Sequence, residues 1–182
     1  MRNAVVASAV PLPVQLLLRP LPFFPLRFAL QRMVDHVWRR QPGLSTRLDV
    51  HGRKVFLIDP TDLPFVFRFV PHPNRPTVEP RRRCQSGGWD ARIAGPLGAL
   101  IGMVHGALDG DALFFAGDIV VEGDTEAVLA LRNALDDAEI DLVSEATAAF
   151  GPAGEVIERL ARLLLPAASQ LTGLTLTRAD RR

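Results

Sequence analysis

The chain has 182 residues, of which 48% are hydrophobic and 23% charged, and its net charge is +1. That length suits one domain with appendages and a core of its own, and the composition excludes intrinsic disorder. A single cysteine, Cys84, excludes an internal disulfide framework and a cysteine-built zinc site, and it fits a reducing compartment.

The charge is unevenly spread. Residues 1–40 carry a local balance of +5, and the remainder a balance of −4. A basic leader on an acidic body points to a membrane surface or an acidic partner. Nucleic acid is not expected, because aromatic residues total 7% with no tyrosine, and the basic residues form no stacking platform. The uncharged run Asn3 to Leu18 contains Pro11 and Pro13 and falls short of the roughly 20 residues that span a bilayer, so no transmembrane helix is expected. Ala7-Ser8-Ala9 mimics a signal cleavage site, but the apolar run before it is far below the usual length of about 7–15 residues.

Residues 1–24 are rich in proline and leucine and read as irregular. From Pro25, the residues Leu26, Leu30, Met33 and Val37 form a helical stripe that Arg39, Arg40 and Pro42-Gly43 bring to an end. Arg47 to Val50 and Lys54 to Ile58 read as strands around a His51-Gly52-Arg53 turn, and Leu63 to Val70 reads as a third strand. Residues 71–89, with four prolines and Arg81-Arg82-Arg83, read as a long excursion with a short strand near Cys84. Asp90 to Ala94 alternates like a strand. Gly95-Pro96 opens a helix with Leu97, Leu100, Ile101 and Val104 on one face, ended by Gly106. Leu113-Phe114-Phe115 and Ile119-Val120-Val121 flank a Gly117-Asp118 hairpin turn. Asp124 caps a helix lined by Val128, Leu131 and Leu135, and Pro152 opens a last helix. The pattern is α+β: a mostly antiparallel sheet with helices on one face.

The chemistry-bearing residues form no catalytic set. His36, His51 and His72 are scattered, and His105 suits a helix C-terminus. No sequence signature pairs Cys84 with a base, and Gly95 to Gly98 lacks the lysine of a phosphate loop. No metal or cofactor is expected. Two adjacent phenylalanines cannot both face one core from a strand, so either Phe114 or Phe115 packs and the other meets a helix, a cavity or a partner. Gly98 and Gly102 inside a helix cost roughly 2 kcal/mol of propensity together. Close packing on the sheet offsets that, or else a smooth wall for an apolar ligand does. The basic helix at 25–40 either packs on its own domain or lies on a membrane or partner.

Asp90-Ala91-Arg92-Ile93-Ala94-Gly95-Pro96-Leu97, Leu113-Phe114-Phe115 and Ile119-Val120-Val121-Glu122-Gly123-Asp124 together resemble the sterol carrier protein type 2 domain. With Thr125-Glu126, Leu131, Asn133 and Leu135, they resemble the branch of bacterial accessory factors for ubiquinone biosynthesis. The run Pro22 to Leu30 is similar to that branch's leader. The resemblance covers roughly residues 20–140. It departs at Leu108-Asp109-Gly110-Asp111-Ala112, where an acidic-proline step is typical, and in the proline-rich 71–89 stretch.

The resemblance implies a curved sheet whose helices enclose an apolar tunnel, and a non-catalytic role. It implies binding of a polyprenylated quinone precursor for oxygen-independent ubiquinone synthesis, with iron–sulfur hydroxylase partners. A generic lipid or fatty-acyl carrier and a small acyl-transfer enzyme are the alternatives. The lipid would meet about half of Leu97, Leu100, Ile101, Val104, Leu113, Phe114, Phe115, Ile119, Val121 and Leu131. Leu26, Arg27, Leu30, Arg32, Met33 and Val37 would contact membrane or partner. The expected organisation is a leader and basic helix over 1–42, the lipid-binding domain over 43–142, and a C-terminal helix and tail over 143–182. The expected location is the cytoplasm, with peripheral contact at the inner membrane.

Overall fold

The computed structural model describes residues 23–83, 87–104 and 117–138, with positions 145, 148 and 149. The expectations for Cys84, His105, Gly106, Leu113, Phe114, Phe115 and the helix after Pro152 lie outside the described residues, as does the side chain of Val104.

The described residues build one mixed sheet with helices against it. The strands are β1 (Phe56–Pro60), β2 (Phe65–Val70), β3 (Thr77–Arg82), β4 (Ala91–Gly95) and β5 (Val120–Gly123), in the order β3-β2-β1-β4-β5. Only β1 and β4 run parallel; the other three pairs are antiparallel, so the sheet is mostly antiparallel as expected. The helices are α1 (Phe23–Arg40), α2 (Gly43–Leu48), α3 (Leu97–Val104) and α4 (Thr125–Ala138).

Register determines which side chains meet. Pro80, Phe67, Ile58, Ile93 and Val121 form one row straight across all five strands. Val78, Phe69, Phe56 and Ala91 form the next row on the same face, because side chains alternate with a period of two. The row between them, Glu79, Arg68, Leu57, Arg92 and Glu122, points the other way and is mostly charged. One face of the sheet is therefore apolar and carries the helices.

Two expectations need correction. Arg47 to Val50 is not a strand: α2 covers Gly43–Leu48, and a 3-10 helix follows over Asp49–Arg53. The reason is Leu44 and Leu48, one helical turn apart and both buried in the main core with α4. Gly52 is buried, and a Cβ there would meet the Pro71 carbonyl oxygen at 3.4 Å, so this glycine serves packing and not a hairpin. The second correction is the 71–89 stretch, where Thr77–Arg82 pairs with β2 along its whole length, Pro80 included. Proline fits because β3 is an edge strand, where the missing N–H need not cost a ladder bond.

Helix α1 runs along that edge. The Gln31 side-chain amide donates to the Pro76 carbonyl at 2.8 Å, and its oxygen accepts the Val78 N–H at 3.1 Å. One side chain thus occupies backbone groups that an exposed edge would offer to another chain. The helix starts at Phe23, so Pro25 falls within its first turn, where a backbone N–H lacks an intrahelical partner anyway. The Phe23 ring meets Phe65 edge-on at 5.9 Å, and the Arg82 guanidinium lies 5.4 Å from its centroid.

The cap at Asp124 is as expected: its Oδ1 accepts the Ala127 N–H at 3.0 Å. That bond, helped by Lys54 Nζ at 3.1 Å, holds the Asp124 carboxyl below its usual range. A second cap comes from a distance. Asp62, buried in the turn between β1 and β2, accepts the Leu97 N–H at 2.9 Å and so closes the start of α3.

Candidate functional site

Among the described residues, the helices do not fill the apolar face of the sheet. Between them and the strands lies a groove of about 280 Å³. Ile58, Pro60, Phe67, Phe69, Val78 and Ile93 form its floor, all from the one apolar face. Leu30, Met33 and Val34 of α1 form one wall. Leu97, Leu100, Ile101 and Met103 of α3 face Val128, Leu131, Arg132 and Leu135 of α4 across the rest. A cavity of roughly 150 Å³ with such walls stays dry and holds a benzene ring. The groove is nearly twice that and close to the range of about 300–1,000 Å³ typical of small-molecule sites.

A satellite cluster flanks the groove beside α1 and β2. Leu63 and Phe65 are buried there against Phe23, Leu26, Phe67 and Leu97, and the Phe65 and Phe67 rings meet edge-on at 5.5 Å. The groove therefore runs between this aromatic cluster and the main core of Phe56, Ile93, Ala99 and Leu131. Gly98 and Gly102 are buried inside α3, and the groove is walled by their larger neighbours.

The opposite face of the sheet is held by ions. Asp59 is buried and pairs with both Arg83 and Arg92; the Arg92 Nε and Nη2 donate to its Oδ2 at 3.0 and 2.6 Å. Arg92 also donates to Glu122 at 2.5 Å, so one guanidinium ties β1 to β4 and β5. These bonds, first to Asp59 and then to Glu122, raise the Arg92 pKa and keep it charged. Arg83 further donates to the carbonyls of Pro60 and Leu63 and so pins the β1–β2 turn that carries Asp62. Charge therefore gathers on one face of the sheet and apolar side chains on the other, where the groove lies.

The predicted site residues divide. Leu97, Leu100, Ile101 and Leu131 border the groove. Ile119 is buried in the main core and Val121 packs against that core; neither borders the groove. Of the residues assigned to membrane or partner contact, Leu30 and Met33 border the groove, Val37 is buried in the core, and Leu26 packs in the aromatic cluster. Arg27 and Arg32 are on the exposed side. Arg27 pairs with Glu79 at 3.0 Å, and Arg32 donates to the Ala149 carbonyl at 2.6 Å. The exposed apolar residues of α1 are instead Phe24 and Phe28, at 83% and 60% exposure. Sequence reading missed Ile58, Phe67, Phe69, Val78 and Ile93. Alternation groups them by strand, but only the register puts them on a common floor.

Chemically, the groove offers contact area and almost no polarity. Among the described residues no cluster of three histidine, cysteine or carboxylate side chains stands ready for a metal, and no helix is long and apolar enough to cross a membrane.

Residues 34–136, more than half the chain, match the family described as "SCP-2 sterol transfer family". No curated protein matches in sequence. The fold is similar to a solved structure titled "UbiJ-SCP2 Ubiquinone synthesis protein", with a TM-score of 0.54 and 21% identity over 65% of this chain and 96% of that one. Two further structures match less well. The apo sterol carrier protein 2 of Yarrowia lipolytica has a TM-score of 0.45 and 15% identity, over 65% of this chain and 95% of that one. The sterol carrier protein domain 2 of Helicoverpa armigera has a TM-score of 0.43 and 14% identity, over 63% and 91%.

Proposed function

The chain belongs to the SCP-2 sterol transfer family, and we propose that its groove holds the tail of a prenylated quinone precursor. In this reading the protein is a non-catalytic accessory factor of oxygen-independent ubiquinone biosynthesis. The observation that carries the lipid part is the groove itself: about 280 Å³ walled by apolar side chains from β1 to β4 and from three helices. Leu97, Leu100, Ile101 and Leu131 contact the tail, together with the floor residues Ile58, Phe67 and Ile93.

The quinone part is supported by the sequence resemblance to the bacterial anaerobic accessory factor UbiT, and by the likeness in fold to a ubiquinone synthesis protein. It also makes physical sense. Each buried CH₂ is worth about 0.8 kcal/mol, so a prenyl tail is nearly insoluble, and enzymes in water need a partner that covers it. Iron–sulfur hydroxylases are the proposed recipients of the covered precursor. The proposed location is the cytoplasm with peripheral contact at the inner membrane. That contact runs through Phe24 and Phe28 at the start of α1, with Arg27 and Arg32 facing anionic headgroups.

Mass spectrometry of the lipids that co-purify from anaerobically grown native cells tests the reading. Prenylated phenols or benzoates in the bound fraction are the expected result. Phospholipids or fatty acids alone would replace the quinone role by that of a generic lipid carrier.

A further inference from the structure

We propose that the end of the molecule where α1, the 3-10 helix and the turn between β2 and β3 meet is a docking surface for an acidic segment of a partner protein. The inference does not depend on what the groove holds.

Three elements converge there. The Trp38 indole N–H, near the end of α1, donates to the Pro73 carbonyl at 3.2 Å. The 3-10 helix closes on the same turn, since a Cβ at Gly52 would meet the Pro71 carbonyl oxygen and the Pro73 ring, both at 3.4 Å. The turn is itself fixed: the Arg75 N–H donates to the His72 carbonyl at 3.2 Å, and the Asn74 N–H to His72 Nδ1 at 3.3 Å. This frame carries Arg39 and Arg40 from α1, Arg53 from the 3-10 helix and Arg75 from the turn, all of them exposed.

Arginines elsewhere in the fold are paired, Arg27 with Glu79, Arg47 with Asp137, and Arg92 with Asp59 and Glu122. Among the described residues, Arg39, Arg40, Arg53 and Arg75 make no ion pair or hydrogen bond through their side chains. The acids beside these elements are engaged. Asp35 accepts from Gln31, Asp90 accepts the Val55 N–H, and Asp124 pairs with Lys54. Asp49, exposed at the start of the 3-10 helix, offsets one of the charges. The dipole of α1 explains basic residues in its last turn, but not Arg53 and Arg75. A rigid set of like charges with nothing in the fold against it attracts an anionic surface from outside.

The chemistry selects the occupant. Guanidinium forks take carboxylates side by side. A membrane-binding surface joins basic residues to apolar side chains that insert. Here Val50 is the exposed large apolar side chain, and Phe28 lies roughly 16 Å of helix before Arg39. A single-stranded nucleic acid needs open rings to stack on, whereas Trp38 packs edge-on against Phe69.

Fluorescence anisotropy of a labelled decaglutamate peptide, titrated with the full chain at low ionic strength, tests the proposal. The wild type is expected to bind, and more weakly as salt screens the contacts. Arg53→Gln combined with Arg75→Gln should weaken binding about tenfold at an unchanged melting temperature. Arg68→Gln combined with Arg81→Gln removes the same charge from the sheet face and should keep most of the affinity. Vesicles of phosphatidylcholine and phosphatidylglycerol should bind the wild type and the Arg53, Arg75 variant alike. No peptide binding by the wild type, equal binding by the Arg53, Arg75 variant, or an equal loss in the Arg68, Arg81 variant would overturn the proposal. Vesicle binding that falls in step with peptide binding would make the surface a membrane contact and overturn it as well.

Discussion

Two residues on one strand separate core from groove. Phe56 and Ile58 point to the same side of β1, but Phe56 is fully buried, while Ile58 is half-buried and borders the groove. Phe56 lies opposite Ala91 on β4 and opposite Phe69 on β2, with 6.5 Å between the two ring centroids. Phe56→Ala removes a ring enclosed by protein, a change that costs about 3–5 kcal/mol. For a chain of this length each kcal/mol lowers Tm by about 2–4 °C, so the melting point should fall by roughly 6–20 °C. Ile58→Ala removes methyl groups that already face open space, so fewer contacts are lost. Its cost belongs at the bottom of the range for such truncations, about 2 kcal/mol or less, or at most roughly 4–8 °C. Urea titration of the delipidated proteins measures both, with an unchanged m-value confirming that the same surface unfolds. Equal losses at the two positions would mean that the groove is closed in solution and that Ile58 is ordinary core, which would refute the reasoning.

Other substitutions probe the frame around the groove. Gly123 has φ +82°, and a Cβ there would collide with the Asp90 carbonyl oxygen, so Gly123→Ala should lower Tm by several degrees and loosen β5 from β4 in hydrogen exchange. The hydrogen bond from Arg81 holds the Glu79 carboxyl below its ordinary value of 4.5, against partial burial and with help from the charges of Arg27, Arg81 and Arg68. A lowered carboxyl stabilises the fold above its unfolded pKa and loses that contribution as pH falls through the folded one. Glu79→Gln should therefore lose less stability than the wild type on going from about pH 7 to about pH 3. Gln31→Leu leaves the Pro76 carbonyl and the Val78 N–H without their side-chain partner at the β3 edge, and light scattering should show faster aggregation at raised concentration.

Much of this arrangement can be read from the chain, and the gaps have physical causes. The α3 face of Leu97, Leu100 and Ile101 and the Asp124 cap are local patterns, complete within one or two helical turns, and the structure has them as read. The stripe of Leu30, Met33 and Val37 was equally legible, but a stripe gives a direction and not a neighbour; here the neighbours are the groove and the core. The floor of the groove depends on register between strands far apart in sequence, such as Ile58 with Ile93, which no window of residues contains. Strand β3 was hidden by Pro80 and by the three prolines before it, since the tolerance for Pro80 comes from its place at the sheet edge. Helix α2 was hidden by its shortness, because six residues show a single Leu44–Leu48 step and no repeat. Arg132 left a trace: it interrupts the apolar arc of Val128, Leu131 and Leu135 at helical spacing.

The central claim is that the space between sheet and helices is a lipid site. Native mass spectrometry of the protein after incubation with a prenylated phenol tests it most directly, with Ile101→Trp as the comparison, since the larger side chain at position 101 fills the groove from α3. The wild type should carry one lipid per chain, and Ile101→Trp should carry little or none at an unchanged melting point. A wild type that takes up no lipid, or a folded Ile101→Trp that takes up as much, would contradict the claim.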